Sequence, residues 1–113
     1  MHEVGLMQTA LTMALNHAQA AGASRIHDLT LRVGMASGVV PEALAFAFDI
    51  VSAGTAAEGA ELRLETIPTR CYCPHCQQEF QPADWVYECP NCQDISTDIR
   101  QGQDLELASL EVS

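Results

Sequence analysis

Apolar residues recur along the first part of the chain in two different periods. From Val4 to about Ala21, Met7, Leu11, Ala14, Leu15 and Ala18 return every three or four positions, which predicts a helix with one buried face, stopped by Gly22. Leu29, Leu31 and Val33 then alternate with Thr30 and Arg32, the period of a strand with one buried side, ending near Gly34. Pro41, suited to the first position of a helix, and Glu42, placed at the positive end of its dipole, open a second helical stripe of Leu44, Ala45, Phe48 and Val51 that Gly54 terminates.

A second alternating run, Leu62 and Leu64 between Arg63 and Glu65, leads to Pro68. After Gly102 a last run reads Asp104-Leu105-Glu106-Leu107, shifts phase at Ala108-Ser109, and resumes as Leu110-Glu111-Val112. A phase flip inside a strand predicts a bulge or a change of packing partner. The expected fold is α+β: a two-layer unit of two helices on a three-stranded sheet, with an inserted zinc-ribbon-like module. Residues 1–68 plus 102–113 would form the α/β domain, and 69–101 the insertion.

The insertion carries the clearest chemistry. Cys73-Pro74-His75-Cys76 and Cys89-Pro90-Asn91-Cys92 are two Cys-x-x-Cys knuckles separated by twelve residues. Two residues between cysteines make a tight turn that aims both sulfurs at one point, and four thiolates suit Zn²⁺. The intervening residues are expected to form a short hairpin that returns the second knuckle to the first, over a small core of Phe80, Trp85 and Tyr87. Four cysteines close the coordination shell, so this metal is structural rather than catalytic. A redox dithiol would need a different context, disulfides would need an oxidising compartment, and iron in the same S₄ cage would be coloured. Cys71 is read as a non-ligand, because its Cys-x₄-Cys spacing to Cys76 lacks the matching knuckle.

Composition narrows the partners. Fifteen acidic residues oppose five arginines and no lysine, a formal charge of −10 that four thiolates and one Zn²⁺ would carry to −12. That field repels phosphate backbones and disfavours nucleic acid, while attracting cations or basic protein surfaces. No secretory signal and no apolar run of membrane-spanning length is read, which points to a cytoplasmic protein without a membrane partner. No phosphate-binding loop and no nucleophile with a base are seen, so the chain is not read as an enzyme.

The chain opens Met1-His2-Glu3. A histidine at position two brings an imidazole, its own amide and the α-amine of Met1 within reach of one ion, a nitrogen-rich set that suits Ni²⁺ or Cu²⁺. His17, His27 and His75 are most simply surface residues. Glu42 is a candidate for an added carboxylate near the terminus.

The opening Met1-His2-Glu3, the helical Ala45-Phe46-Ala47-Phe48-Asp49, the paired knuckles and the closing Gly102-x-x-Leu105-Glu106-Leu107, in this order, resemble the HypA/HybF family of hydrogenase maturation nickel chaperones. The resemblance spans essentially the whole chain. It implies a cytoplasmic accessory protein that passes Ni(II) to the large-subunit precursor of [NiFe]-hydrogenase, with a GTPase of the same pathway as partner. It also implies His2 as the essential nickel ligand, helped by Glu3 and the Met1 amine, and Cys73, Cys76, Cys89 and Cys92 as ligands of structural Zn(II). The alternative is a zinc-ribbon interaction module without a nickel role. One departure is expected to matter locally: Gln77 and Gln93 stand where many zinc knuckles carry glycine, which predicts a different arrangement of hydrogen bonds from backbone to sulfur.

Overall fold

The computed structural model describes residues 2–82 and 86–113. Its elements follow in the order α1 (His2–Ala20), β1 (Ile26–Gly34), α2 (Pro41–Val51), β2 (Glu61–Ile67), β3 (Arg70–Cys73), β4 (Gln78–Phe80), β5 (Asp98–Gln101) and β6 (Leu105–Val112). They build two three-stranded sheets, β2-β1-β6 and β4-β3-β5.

In the first sheet β1 lies in the middle, parallel to β2 and antiparallel to β6. A parallel pair cannot be joined by a tight turn, and α2 is the crossover between β1 and β2. Both helices cover the same face. Met7, Leu11, Ala14 and Ala18 of α1, Leu44, Ala47 and Phe48 of α2, and Leu29, Leu31 and Val33 of β1 form one buried cluster. Each large side chain removed from water there contributes about 1.5–3 kcal/mol.

The other face of this sheet is polar. Asp28, Thr30 and Arg32 are flanked by Glu61, Arg63 and Glu65 on β2 and by Glu111, Ser109 and Glu106 on β6. Central position alters one expectation: Thr30, on the outward side, is also buried, because Arg63 and Ser109 flank it on the neighbouring strands. The phase flip in β6 is a register shift. Ser109 pairs with Thr30 and Leu107 with Leu31, so Ala108 is the extra residue.

Helix α1 begins at His2 rather than Val4. Glu3 in its first turn favours the positive helix end. The Val40 N–H donates to Glu3 Oε2 at 3.4 Å, so α1 begins docked on the start of α2.

A tight seam joins the first sheet to the segments leading into the second. The Gly34 N–H donates to the Asp104 carbonyl (2.8 Å), Met35 N–H to Ile67 (2.9 Å) and Ala36 N–H to Gly102 (2.8 Å). The end of β1 thereby grips the chain where it leaves the first sheet and where it returns. Gly102, at φ 98°, lies against Pro68 and Thr69, and the Gln101 amide donates to the Pro68 carbonyl at 3.0 Å.

Candidate metal centres

Each Cys-x-x-Cys knuckle is itself the turn of a hairpin. β3 runs into Cys73, turns through residues 74–77, and returns as β4, with Cys73 opposite Gln78. Cys89–Cys92 form the turn of a smaller hairpin, in which Glu88 bridges Ile95 and the Ser96 N–H donates to Tyr87 at 2.7 Å. This corrects the expectation of one hairpin between the knuckles: the returning strand β4 is consumed by the first knuckle, and the second brings its own. Ser96 Oγ then donates to the Tyr72 carbonyl at 2.6 Å and ties the second hairpin to β3.

The four sulfurs converge. Sγ of Cys73, Cys76, Cys89 and Cys92 lie within 4.8 Å of one another, with Cys73–Cys92 at 3.6 Å and Cys76–Cys89 at 3.9 Å. A tetrahedron built on Zn–S bonds of about 2.3 Å has edges of about 3.8 Å. The donor set and its spacing therefore fit one tetrahedral ion, and the four cysteines could hold zinc. Cys71 stands apart from this group, wholly buried in the core formed with Cys73, Phe80 and Cys89, and burial pushes its thiol up, with Asp98 adding to the effect. Tyr87 packs on the same core, as expected; Trp85 lies outside the described residues.

Electrostatics divide the thiols. Backbone N–H groups of Cys92 and Asn91 aimed at Cys89 lower its pKa to about 7, against the opposing effect of burial. Cys76, hydrogen-bonded by Cys92 and then desolvated, is pushed up to about 12. Cys89 is thus the more readily ionised of these two, and a cation replacing the protons removes the penalty at Cys76.

The glutamines after each knuckle take the conformation that glycine adopts freely: φ is 56° at Gln77 and 64° at Gln93. Their N–H groups close the turns onto the carbonyls of Cys73 (2.7 Å) and Cys89 (2.9 Å), and the Cys76 N–H reaches Cys73 Sγ at 3.4 Å. Glutamine bears the left-handed backbone.

The second candidate centre is the start of α1. The His2 imidazole is exposed, with Nδ1 3.9 Å from Glu3 Oε2. Glu3's own backbone N–H, followed by that of Val40 and the nearby imidazole, holds its carboxyl below the usual range. Met1 lies outside the described residues. His17, His27 and His75 are exposed, and His27 Nε2 sits 2.6 Å from the Ser113 hydroxyl. Glu42 is exposed on α2, and it is Glu3 that links the two helix starts. That link was not foreseen from the chain alone, since it joins residues 37 positions apart.

Residues 1–112 match the family described as hydrogenase/urease nickel incorporation, metallochaperone, HypA. The chain belongs to the HypA family. A hydrogenase maturation factor HypA from Picosynechococcus is 49% identical over 112 residues, covering 99% of both chains, and one from Roseiflexus is 41% identical over 98% of this chain and 91% of its own. The solution structure of the Ni metallochaperone HypA from Helicobacter pylori shares the fold, with a TM-score of 0.72 over 97% of this chain and 96% of that one at 22% identity. A second HypA solution structure gives 0.74 over 100% and 97% at 23% identity. HypA proteins are thus named as maturation factors and metallochaperones, and among the described residues no helix is long and apolar enough to cross a membrane.

Proposed function

We propose that this HypA protein binds Ni(II) at its N-terminus and delivers it to the large-subunit precursor of [NiFe]-hydrogenase in the cytoplasm, together with a GTPase of the maturation pathway. Nickel is cargo, and the protein performs no catalysis on it. The observation that carries the reading is the exposed His2 beside a half-buried Glu3 at the start of α1, in a chain of nickel-incorporation lineage.

The first N–H groups of a helix have no intrahelical acceptor, so the amide nitrogens of His2 and Glu3 can be given up to a metal without breaking a helical bond. His2 supplies the imidazole, Glu3 its amide nitrogen or carboxylate, and Met1 its amine. Such a set suits Ni²⁺ and uses none of the cysteines. A site at the chain end can also be stripped ligand by ligand, which delivery requires. Ligand binding expels protons, so affinity falls as pH drops through the ordinary histidine range, about 6.5.

Cys73, Cys76, Cys89 and Cys92 hold Zn(II) in the second unit, residues 69–101, separate from the α/β domain of 1–68 plus 102–113. Zinc supplies a structural cross-link between the two knuckles. The deciding experiment is a calorimetric Ni²⁺ titration of untagged, zinc-loaded protein beside His2→Ala. About one nickel with micromolar or tighter affinity, lost in the variant, upholds the reading. Equal binding by both, or none by either, favours a zinc-ribbon interaction module.

A further inference from the structure

The first sheet has a free edge whose chemistry no metal accounts for. Among the described residues β6 pairs with β1 on one side only, and its other side is the border of the sheet. Such an edge presents unpaired N–H and C=O groups to any extended chain. Alongside it runs a groove of about 450 Å³ between β6 and α1, lined by Leu6, Met13 and His17 of the helix and by Leu105, Glu106 and Leu107 of the strand. A second, smaller hollow continues from His17 along Leu107 to Leu110. Met13 is 48% exposed there, although it lies on a helix that buries its other side.

The charge of this edge selects its occupant. The outward row of β6 holds Glu106 and Glu111, and the strand has no basic residue. Arg32, opposite Glu106 on β1, turns to Glu65 at 3.3 Å, and Arg63, on the far strand, reaches Asp28 and Glu61. Glu111 stands directly opposite Asp28 of β1, so negative charge is already crowded at that end.

A second copy of the chain is a poor occupant. Antiparallel β6 pairing that sets Leu105 opposite Val112 and Leu107 opposite Leu110 on the core side places Glu106 opposite Glu111 twice, and like charges directly opposite oppose pairing. An extended segment alternating apolar residues with arginine or lysine meets the same edge with opposite charge and fills the groove with its apolar side chains.

We propose that the free edge of β6 and the groove beside α1 form a docking site for an extended basic segment of another protein, which adds to the sheet as a fourth strand next to Leu105–Leu107. The site is independent of the nickel assignment. It accounts for an apolar groove bordered by the Glu106 carboxylate, and it uses main-chain hydrogen bonds for affinity and Glu106 for selection.

The test is a ¹H–¹⁵N titration of the full chain with an acetylated ten-residue peptide alternating valine with arginine, beside the same peptide with glutamate for arginine. Amide shifts confined to β6 and to α1 around Met13 and His17, from the arginine peptide alone, are expected. Met13→Glu should abolish them and Glu106→Lys should weaken binding at least threefold, while Glu65→Lys on the opposite edge changes it less than twofold. Shifts elsewhere, equal binding of both peptides, or insensitivity to Met13→Glu and Glu106→Lys would overturn the site. Concentration-dependent β6 shifts without peptide would assign the edge to a second copy and overturn it equally.

Discussion

Substituting alanine at Gly34 tests the seam that fastens the first sheet to the chain entering and leaving the second. An ideal Cβ there falls inside contact distance of the Gly102 carbonyl carbon and oxygen and 2.9 Å from Gln103 N. All three are backbone atoms, so no flexible side chain can yield. Overpacking of this kind costs roughly 1–3 kcal/mol. Moving Gly102 away also releases the Ala36 N–H and Gly34 N–H bonds, both 2.8 Å, at about 1 kcal/mol each. Gly102 cannot retreat freely, because its other side meets Thr69 and Pro68.

The expected cost is therefore about 3–5 kcal/mol, a large share of the roughly 5–15 kcal/mol that holds a domain. Urea unfolding of zinc-loaded protein measures it. Gly5→Ala is the control: it lies on the exposed side of α1 with nothing within 4 Å, and should stabilise by about 0.5–1 kcal/mol. A cost below about 1 kcal/mol for Gly34→Ala would refute the close-packed seam.

Other expectations follow from single residues. Gln77→Val forces a β-branched side chain into φ 56° and should weaken zinc retention by roughly tenfold in chelator competition, whereas Gln77→Gly should retain or improve it. Cys71→Ala should keep one zinc equivalent while lowering stability by about 1 kcal/mol, and Cys73→Ala should lose the zinc, both read by metal analysis. Glu111 has its pKa raised by the hydrogen bond and charge of Asp28, so the folded state is penalised above its folded pKa and relieved as pH falls through it. Calorimetry should accordingly show Glu111→Gln with a higher melting temperature at pH 7 and with an advantage that shrinks as pH falls through the raised pKa of Glu111.

Much of this architecture could be read from the chain because it depends on local periods. The helical stripes, the alternation in β1 and β2, and the displaced residue Ala108 all follow from side chains facing one core. The knuckles were legible because tetrahedral thiolate chemistry imposes a short spacing. What escaped was long-range. Glu3 caps the start of α2 from another helix, Asp28 meets Glu111 across two strands, and Gly34 is small because Gly102 approaches it from the other end of the chain. None of these leaves a local pattern. At the glutamines the turn requires a left-handed backbone, and glutamine tolerates it at a modest cost of about 1–2 kcal/mol.

The central claim is that two metals occupy two chemically different places, and X-ray absorption at the nickel and zinc edges of one doubly loaded sample tests it most directly. The account predicts zinc surrounded by four sulfurs at about 2.3 Å and nickel surrounded by nitrogen and oxygen alone, with the nickel signal lost in His2→Ala. Sulfur bound to nickel, or a nickel spectrum unchanged by His2→Ala, would contradict it.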